Sequence, residues 1–281
     1  MTASNKEELE LDLLLIAVYR LTGFDFRQYM RSSIMRRVEN RLSLEKLNSI
    51  THLTEKIIHD QNMLPKVLAD FSINVTEMFR DPTFFKTFRE EVVPFLRELP
   101  EIRIWHAGCS TGEEAYSMAI LLHEEGLGNK VKMYATDMNE KVIHKAEQGM
   151  FPLQKMQLYT KNYMAAGGKK SFSEYYKVDH EGAHLIPSLK ENIVFAQHNL
   201  VTDGSFNEFH VIICRNVLIY FNIDLQLQVF KLFNDSLGPG GFLGLGSKES
   251  VRTDDSIRFE TFHTQEKIFI KKRRMLEQNI L

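Results

Sequence analysis

The stretch RIWHAGCSTGEEAYS, residues 103–117, begins as an apolar strand, turns through Gly108 and Gly112, and continues with helix-forming residues. A strand, a glycine turn and a helix in this order are typical of the first unit of an α/β sheet. In such sheets the turn lies at the carboxyl end of the strand, where ligands bind. The stretch therefore predicts an α/β domain and also the position of its binding site.

Further short apolar runs follow this stretch, and helical segments separate them. Runs of this kind are typical of parallel strands that are buried on both faces. We therefore predict an α/β fold with a doubly wound, Rossmann-like sheet and a closing antiparallel pair of strands. The predicted strands are residues 102–107, 131–136, 193–197, 211–214, 242–245, 260–262 and 267–270.

The N-terminal part of the chain has a different periodicity. Up to residue 98, apolar side chains recur at helical spacing, as in Leu9, Leu13 and Ile16, and Asp81 before a proline predicts a capped helix start. Further along the chain, the alternation of strands and helices lapses after residue 149. We predict an N-terminal all-α domain with a linker at 1–98, an α/β domain at 99–281, and a small inserted β subdomain at about 150–192.

A basic helix is predicted over residues 27–42. Four arginines interleave with the apolar residues on one side of this helix: Arg27, Arg31, Arg37 and Arg41. Their stems could cover apolar surface while the guanidinium groups reach water. Alternatively, this face lines a cleft between two domains and binds an acidic partner.

Composition argues against several classes of protein. Lysine and arginine number 35 against 37 acidic residues, so the net charge of -2 provides no field that would attract nucleic acid. No apolar run reaches the roughly 20 residues of a membrane span, and the N-terminus is acidic, unlike that of a signal peptide. The two cysteines, Cys109 and Cys214, lack metal-ligand spacing and fit reduced thiols. We expect a cytoplasmic protein without a metal site, nucleic-acid partner or membrane insertion.

The glycine turn lacks the features of a phosphate site. It matches neither G-x-G-x-x-G nor G-x-x-x-x-G-K-[ST], and no lysine is present to bind a phosphate. Glu113 and Glu114 instead begin the following helix, where they would repel a pyrophosphate and attract a cationic group. The alternative is that these acids only complement the helix dipole.

A second acid supports a cationic nucleoside as the ligand. Asp137 ends the second predicted strand, where an acid accepts hydrogen bonds from ribose hydroxyls. A turn that favours a cation and an acid that binds ribose together indicate S-adenosylmethionine, whose sulfonium carries a positive charge. Asn199 follows the third strand and is a polar candidate for contacting the adenine ring.

Five ordered segments resemble the motifs of the CheR-type chemotaxis receptor methyltransferases. They are INVTEMFRDP (73–82), HAGCSTGEEAYS (106–117), ATDMNEKVIHKAEQGMF (135–151), ICRNVLIYFN (213–222) and GGFLGLGSKES (240–250). The segment 24–42 is also similar to the basic N-terminal helix of that family. The resemblance implies a class I methyltransferase sheet. It also implies methyl transfer from S-adenosylmethionine to glutamate side chains on the cytoplasmic helices of chemoreceptors, forming methyl esters.

The resemblance also implies roles for individual residues. Arg80 and Tyr220 are the expected catalytic residues, because they match positions that orient the methyl-accepting carboxylate. Arg27, Arg31, Arg37 and Arg41 are the expected receptor-binding residues. The expected cofactor-binding residues, which include Gly108 of the turn, are Asn74, Thr76, Arg80, Gly108, Glu114, Asp137, Asn199, Leu200, Arg215 and Asn216.

The chain departs from the family pattern at a few positions. Met78 stands where an aromatic residue is usual, Ala115 where proline is common, and Lys248 where we expect an acid in the last motif. Two other functions keep the same cofactor: methylation of a different protein acceptor, and a signalling module that binds S-adenosylmethionine without turnover. The presence of both Arg80 and Tyr220 argues against a signalling module without turnover, because a protein that only binds the cofactor has little use for them.

Overall fold

The computed structural model describes residues 3–72, 75–252 and 256–272. The chain divides into two compact units, Met1–Ile73 with Tyr220–Gln226 and Asn74–Ile219 with Leu227–Leu281. This division falls earlier than the boundary near residue 98 that we expected from the sequence. Although they lie in helical segments, Phe84, Phe85 and Phe88 pack into the core of the second unit.

The first unit is helical. Its helices are α1 (Ala3–Thr22), α2 (Arg31–Glu45), α3 (Ile50–His59) and α4 (Met63–Phe71). Helix α1 packs against α3, and α2 packs against α4. The helix predicted from the spacing of Leu9, Leu13 and Ile16 is confirmed, although these three side chains are about half exposed. The buried face is Leu11, Leu14, Leu15 and Val18.

Helix α2 begins at Arg31, later than the predicted start at residue 27. The preceding segment forms backbone pairs with residues 220–222 instead. The N–H of Met30 donates to the carbonyl of Tyr220 at 2.7 Å, and the N–H of Asn222 donates to the carbonyl of Gln28 at 2.9 Å. In a helix that began at residue 27 the carbonyl of Gln28 would accept an N–H four residues later, but here it accepts the N–H of Asn222.

The second unit contains the predicted doubly wound sheet, which confirms the fold class. Its seven strands lie in the order β6-β2-β1-β7-β8-β10-β9. Five strands are parallel, and β10 and β9 close the sheet antiparallel. The strands are β1 (Ile102–Ala107), β2 (Val131–Asp137), β6 (Ile193–Gln197), β7 (Phe209–Cys214), β8 (Leu237–Leu245), β9 (Phe259–His263) and β10 (Ile268–Lys271).

The long helices accompany these strands in the expected α/β order. They are α7 (Glu113–Glu124), α8 (Glu140–Gln148) and α10 (Ile223–Ser236). Before β1, α5 (Pro82–Thr87) continues through a π-helical turn (Phe88–Val92) into α6 (Val93–Arg97). None of the helices in the described ranges has both the length and the apolar character that crossing a membrane requires.

The inserted subdomain is a small antiparallel sheet with one helix. Its strands, in the order β3-β5-β4, are β3 (Met150–Phe151), β4 (Tyr176–Val178) and β5 (Ala183–Leu185). Helix α9 (Leu153–Ala165) lies between β3 and β4 in sequence and was not predicted. The hydroxyls of Tyr163 and Tyr175 donate to Glu124 at the end of α7, which ties the insert to the main sheet's helices.

Candidate functional site

The turn after β1 is held in a conformation that favours glycine. Gly108 and Gly112 have φ values of 78° and 90°, and Ser110 between them has a φ of 50°. A Cβ on Gly108 would lie 2.6 Å from a methyl carbon of Val217. The N–H groups of Gly108 and Cys109 both donate to the carbonyl of Thr136 on β2. The turn is therefore tight, closely packed and fixed to the neighbouring strand.

Asp137, the last residue of β2, holds this turn from the other side. One carboxylate oxygen accepts the N–H of Ser110 at 3.0 Å, and the other accepts the N–H of Asn139 at 3.0 Å. Burial raises the pKa of Asp137, and backbone N–H donors oppose only part of that rise. An ionised carboxylate has about four acceptor positions. The backbone N–H groups of Asn139, Ser110 and Met138 all bond to Asp137 and occupy most of these positions.

The two acids at the start of α7 have different partners. Glu113 is buried and points toward the insert, accepting hydrogen bonds from the hydroxyls of Thr111 at 2.5 Å and Tyr159 at 3.1 Å. Glu114 contacts His106 on β1 instead, with 3.2 Å between Oε1 and Nδ1. Only Glu114 therefore joins the group of residues predicted to bind the cofactor.

The charge of Glu114 is stabilised by its neighbours. Burial alone would raise its pKa, but the hydrogen bond with His106 and the positive charge of Arg215 outweigh burial and lower the pKa. Arg215 Nη1 lies 3.1 Å from Glu114 Oε2. Glu114 is therefore an anion at neutral pH, beside the turn.

Arg215 connects separate segments of the second unit. Its side chain is 2% exposed, and its Nη2 donates to Asp81 at 2.7 Å while its Nη1 donates to the carbonyl of Arg80 at 3.2 Å. The guanidinium also lies 4.2 Å from the centre of the Phe84 ring. We expected Asp81 to cap α5, but its side chain makes no capping bond, because it is committed to this ion pair. Arg215 thus fixes the segment before α5 to the start of α7.

The segment that carries Arg80 has a strained backbone. Phe79 and Asp81, on either side of Arg80, have φ values of 51° and 54°. Such a value is unfavourable for a bulky residue such as Phe79, and backbone strain of this kind clusters at functional sites. Ser117 on α7 accepts the N–H of Phe79 at 2.8 Å, and Arg80 Nη1 donates to the carbonyl of Val75 at 3.1 Å. Thr76 lies in the same irregular segment, whereas Asn74 lies outside the described residues.

Asn199 and Leu200 follow β6, as predicted. Asn199 is buried and organises its own loop, because its Oδ1 accepts the N–H of Val201 at 3.0 Å and its N–H donates to Asp203 at 2.9 Å. Leu200 is half-buried in the same turn. These residues lie beyond the carboxyl end of β6, next to β2 in the sheet.

The sequence analysis missed Glu249. We expected the last motif to lack its acid because of Lys248, but Glu249 supplies a buried carboxylate one residue later. It accepts the N–H groups of Asn216 at 2.9 Å and Gly246 at 2.7 Å. Asn216 has a φ of 62°. The sequence does contain a signal for Glu249, since this acid lies three residues after Gly246, the glycine that directly follows a buried strand.

Cys109 lies in the turn, where burial and two nearby carboxylates affect the pKa of its thiol. Burial raises the pKa of this thiol well above its ordinary value, and the negative charges of Asp137 and Glu114 raise it further. Both effects disfavour a thiolate there, and the carboxylates would favour a cation at the same place. Both carboxylates thus lie beside the turn at the carboxyl ends of β1 and β2, which is where ligands bind in open α/β sheets.

Tyr220 belongs to the first unit together with the basic residues of the predicted helix. Arg37 lies with its guanidinium 5.4 Å from the centre of the Tyr220 ring and donates to the carbonyl of Asp70 at 2.9 Å. This contact is a cation–π interaction, which restricts the orientation of the ring. Arg37 is thus a neighbour of the expected catalytic tyrosine.

The other three arginines of the basic segment form ion pairs within the first unit. Arg27 lies before α2, pairs with Asp25 at 2.7 Å and stacks on a tyrosine ring. Arg31 pairs with Asp12. Arg41 pairs with Asp70 at 2.6 Å and with a second acid one helical turn away. The structure therefore does not present the four arginines as one continuous helical face.

Two domain families match this chain. Residues 74–268 match "CheR methyltransferase, SAM binding domain", and residues 9–72 match "CheR methyltransferase, all-alpha domain". The junction of the two matches coincides with the division between the two units of the structure.

Similar proteins carry related names. "Putative methyltransferase Cher3" of Pseudomonas putida is 46% identical over 272 residues, which cover 96% of this chain and 100% of that protein. "Chemotaxis protein methyltransferase" of Listeria innocua is 28% identical, covering 87% and 92% of the two chains. "Chemotaxis protein methyltransferase 2" of Pseudomonas aeruginosa is 30% identical, covering 83% of each chain.

Proposed function

Because the chain belongs to the CheR methyltransferase family, we propose that it transfers a methyl group from S-adenosylmethionine to glutamate side chains of chemoreceptors. The products are methyl esters on the cytoplasmic helices of those receptors, formed during chemotactic adaptation. The names of the relatives in Listeria innocua and Pseudomonas aeruginosa support the link to chemotaxis. The planar donor fork of Arg80 suits a carboxylate and supports glutamate as the acceptor.

The observation that carries this proposal is the pair of carboxylates at the turn after β1. Asp137 holds the turn, Glu114 beside it is kept ionised by its partners, the turn contains no lysine to bind a phosphate, and Gly108 keeps the turn tight. S-adenosylmethionine, when bound, supplies an electrophilic methyl group on a sulfonium. In this proposal Asp137 accepts hydrogen bonds from the ribose, and Asn199 with Leu200 contacts the adenine.

The proposed reaction requires positioning more than acid–base chemistry. A glutamate carboxylate is already ionised at neutral pH, so it needs no strong base to become a nucleophile. Holding the reactants in line contributes up to roughly 7–11 kcal/mol in favourable systems. The residues of this chain therefore act mainly by orienting the acceptor carboxylate and by excluding alternative geometries.

Arg80 and Tyr220 are the residues we assign to that task. A guanidinium has five N–H donors in a planar fork that suits a carboxylate, and one nitrogen of Arg80 is already held by the carbonyl of Val75. This contact orients the fork before the acceptor arrives. In the proposal Tyr220 donates a further hydrogen bond, and Arg37 restrains its ring.

A labelling experiment tests the proposal. The purified chain is incubated with S-adenosylmethionine carrying a tritiated methyl group and with membranes rich in chemoreceptors. We expect label on the receptors that is released as methanol by mild alkali, and we expect the Arg80→Ala and Tyr220→Phe variants to transfer it at least 100-fold more slowly.

Three results would contradict parts of this proposal. Alkali-labile label on other proteins would change the acceptor. Cofactor binding without any transfer would favour a signalling module without turnover. Full transfer by both variants would show that the reaction centre is misassigned.

A further inference from the structure

Glu249 makes an unusual set of contacts for a buried acid. Its side chain follows β8, and the residue is only 5% exposed. Its Oε2 accepts the N–H groups of Gly246 at 2.7 Å and Asn216 at 2.9 Å, and its Oε1 accepts the N–H of Ile219 at 3.2 Å. The described contacts of this carboxylate are thus with backbone groups, and they come from two different loops.

These contacts join the carboxyl ends of two adjacent strands. Gly246 directly follows β8, whereas Asn216 and Ile219 lie after β7 in residues 215–219, which we call the 215–219 loop and which runs into a short 3-10 helix (Leu218–Tyr220). Asn216 has the left-handed backbone conformation, which asparagine tolerates better than most residues other than glycine. Glu249 holds the loop in this conformation, because it accepts the N–H of Asn216 itself.

The charge and shape of a carboxylate suit this position. An ionised carboxylate is purely an acceptor, whereas the amide of a glutamine would direct its own N–H groups at backbone donors. Burial raises the pKa of Glu249, and the backbone N–H groups of Gly246, Asn216 and Ile219 oppose the rise. The packing is also close, because a Cβ on Gly246 would lie 2.8 Å from both Asn216 N and Glu249 Oε2.

We propose that Glu249 is a positioning residue for methyl transfer, which acts by fixing the 215–219 loop. The loop begins with Arg215, whose guanidinium binds Glu114, Asp81 and the carbonyl of Arg80. A displacement of the loop would therefore move the arginine that organises the cofactor site, together with Asn216. This inference rests on the proposed function, but its main readout is cofactor affinity, which does not depend on the identity of the acceptor.

The experiment compares Glu249→Gln with a matched buried acid. Glu124 also has a fully buried side chain that accepts several hydrogen bonds, but its partners are Arg89 and residues of the insert. S-adenosylhomocysteine is titrated into each folded variant by calorimetry, and Tm is measured in parallel. We expect Glu249→Gln to weaken binding about tenfold, which is the effect of losing one charge-assisted hydrogen bond that holds the 215–219 loop. We expect Glu124→Gln to lower Tm and leave the affinity unchanged.

Two further variants keep the inference testable if Glu249→Gln does not fold. Glu249→Asp retains the charge on a shorter side chain and should bind with intermediate affinity. Gly246→Ala disturbs the same contacts from the opposite loop without changing any charge, and should also weaken binding.

Wild-type affinity in the folded Glu249 and Gly246 variants would overturn the inference. The inference would also be overturned if the Glu249→Gln and Glu124→Gln variants both lost affinity in proportion to their losses in Tm. If instead the wild-type chain binds the thioether tightly but labels no receptor, the proposed acceptor fails while the role of Glu249 stands.

Discussion

Replacing Arg215 by methionine tests how the candidate site is held together. Methionine keeps an unbranched side chain against Phe84 but removes the guanidinium that binds Glu114 and Asp81. Breaking a buried ion pair costs about 3–5 kcal/mol. The side chains of Glu114 and Asp81 are 19% and 40% exposed, so water replaces part of the loss. We therefore expect the free energy of unfolding to fall by about 2–3 kcal/mol.

The chain contains one tryptophan, Trp105, whose fluorescence can be used to measure this fall in the free energy of unfolding. It is fully buried in β1, so its fluorescence in a urea titration reports the unfolding of the second unit. Arg97→Met is the matched control, because that side chain is 49% exposed and pairs with Glu125 at the surface. The control should lower the free energy of unfolding by less than about 1 kcal/mol.

A double-mutant cycle separates the ion pair from the rest of the arginine. Combining Arg215→Met with Glu114→Gln should show a coupling of about 1–3 kcal/mol, because the two side chains are in contact. The reasoning is refuted if Arg215→Met costs no more than Arg97→Met, or if the two substitutions in the cycle are additive.

Three other substitutions give distinct results. Gly108→Ala should destabilise the chain by about 1–3 kcal/mol more than Gly167→Ala in urea titrations. Both glycines have a positive φ, but of the two only Gly108 would place a Cβ against a valine. Equal losses of stability in the two variants would contradict this close packing. Partners lower the pKa of Glu114, so its contribution to stability is present above the ordinary value of 4.5 and is lost as pH falls through the lowered pKa. The stability difference between wild type and Glu114→Gln should therefore shrink on acidification below pH 4.5, and a difference that grows would exclude this account. Arg37→Met should reduce kcat about tenfold, because it removes a cation–π contact with Tyr220 that is worth about 0.5–2 kcal/mol. The affinity for S-adenosylhomocysteine, measured by calorimetry, should stay unchanged. Reduced affinity with a normal kcat would contradict this role of Arg37.

The sheet and the site's location were accessible from sequence because they depend on local patterns. Buried parallel strands need continuous apolar runs, and a tight turn needs glycine at positive φ, so residues 103–117 carry both signals. The acid at the end of β2 was found for the same reason, since ligands bind at the carboxyl ends of such strands. These features follow from chemistry within a few residues of one another.

The features that sequence missed depend on contacts between distant residues. A helix cap at Asp81 is locally reasonable, but Arg215, far along the chain, binds its carboxylate instead. The start of α2 shifts because Met30 pairs with the backbone of Tyr220. Glu249 looks like an ordinary surface acid in the sequence, and only the fold brings backbone N–H groups to it.

The central claim is that the acidic turn of this chain selects a positively charged nucleoside. Calorimetric titration of the purified chain with S-adenosylmethionine and S-adenosylhomocysteine, alongside ATP and NAD, tests it most directly, with Asp137→Asn as the comparison. We predict binding of the sulfonium and its thioether only, weakened about 10–100-fold by Asp137→Asn through loss of charge-assisted hydrogen bonds. Binding of ATP or NAD with no affinity for either of the first two ligands would contradict the claim.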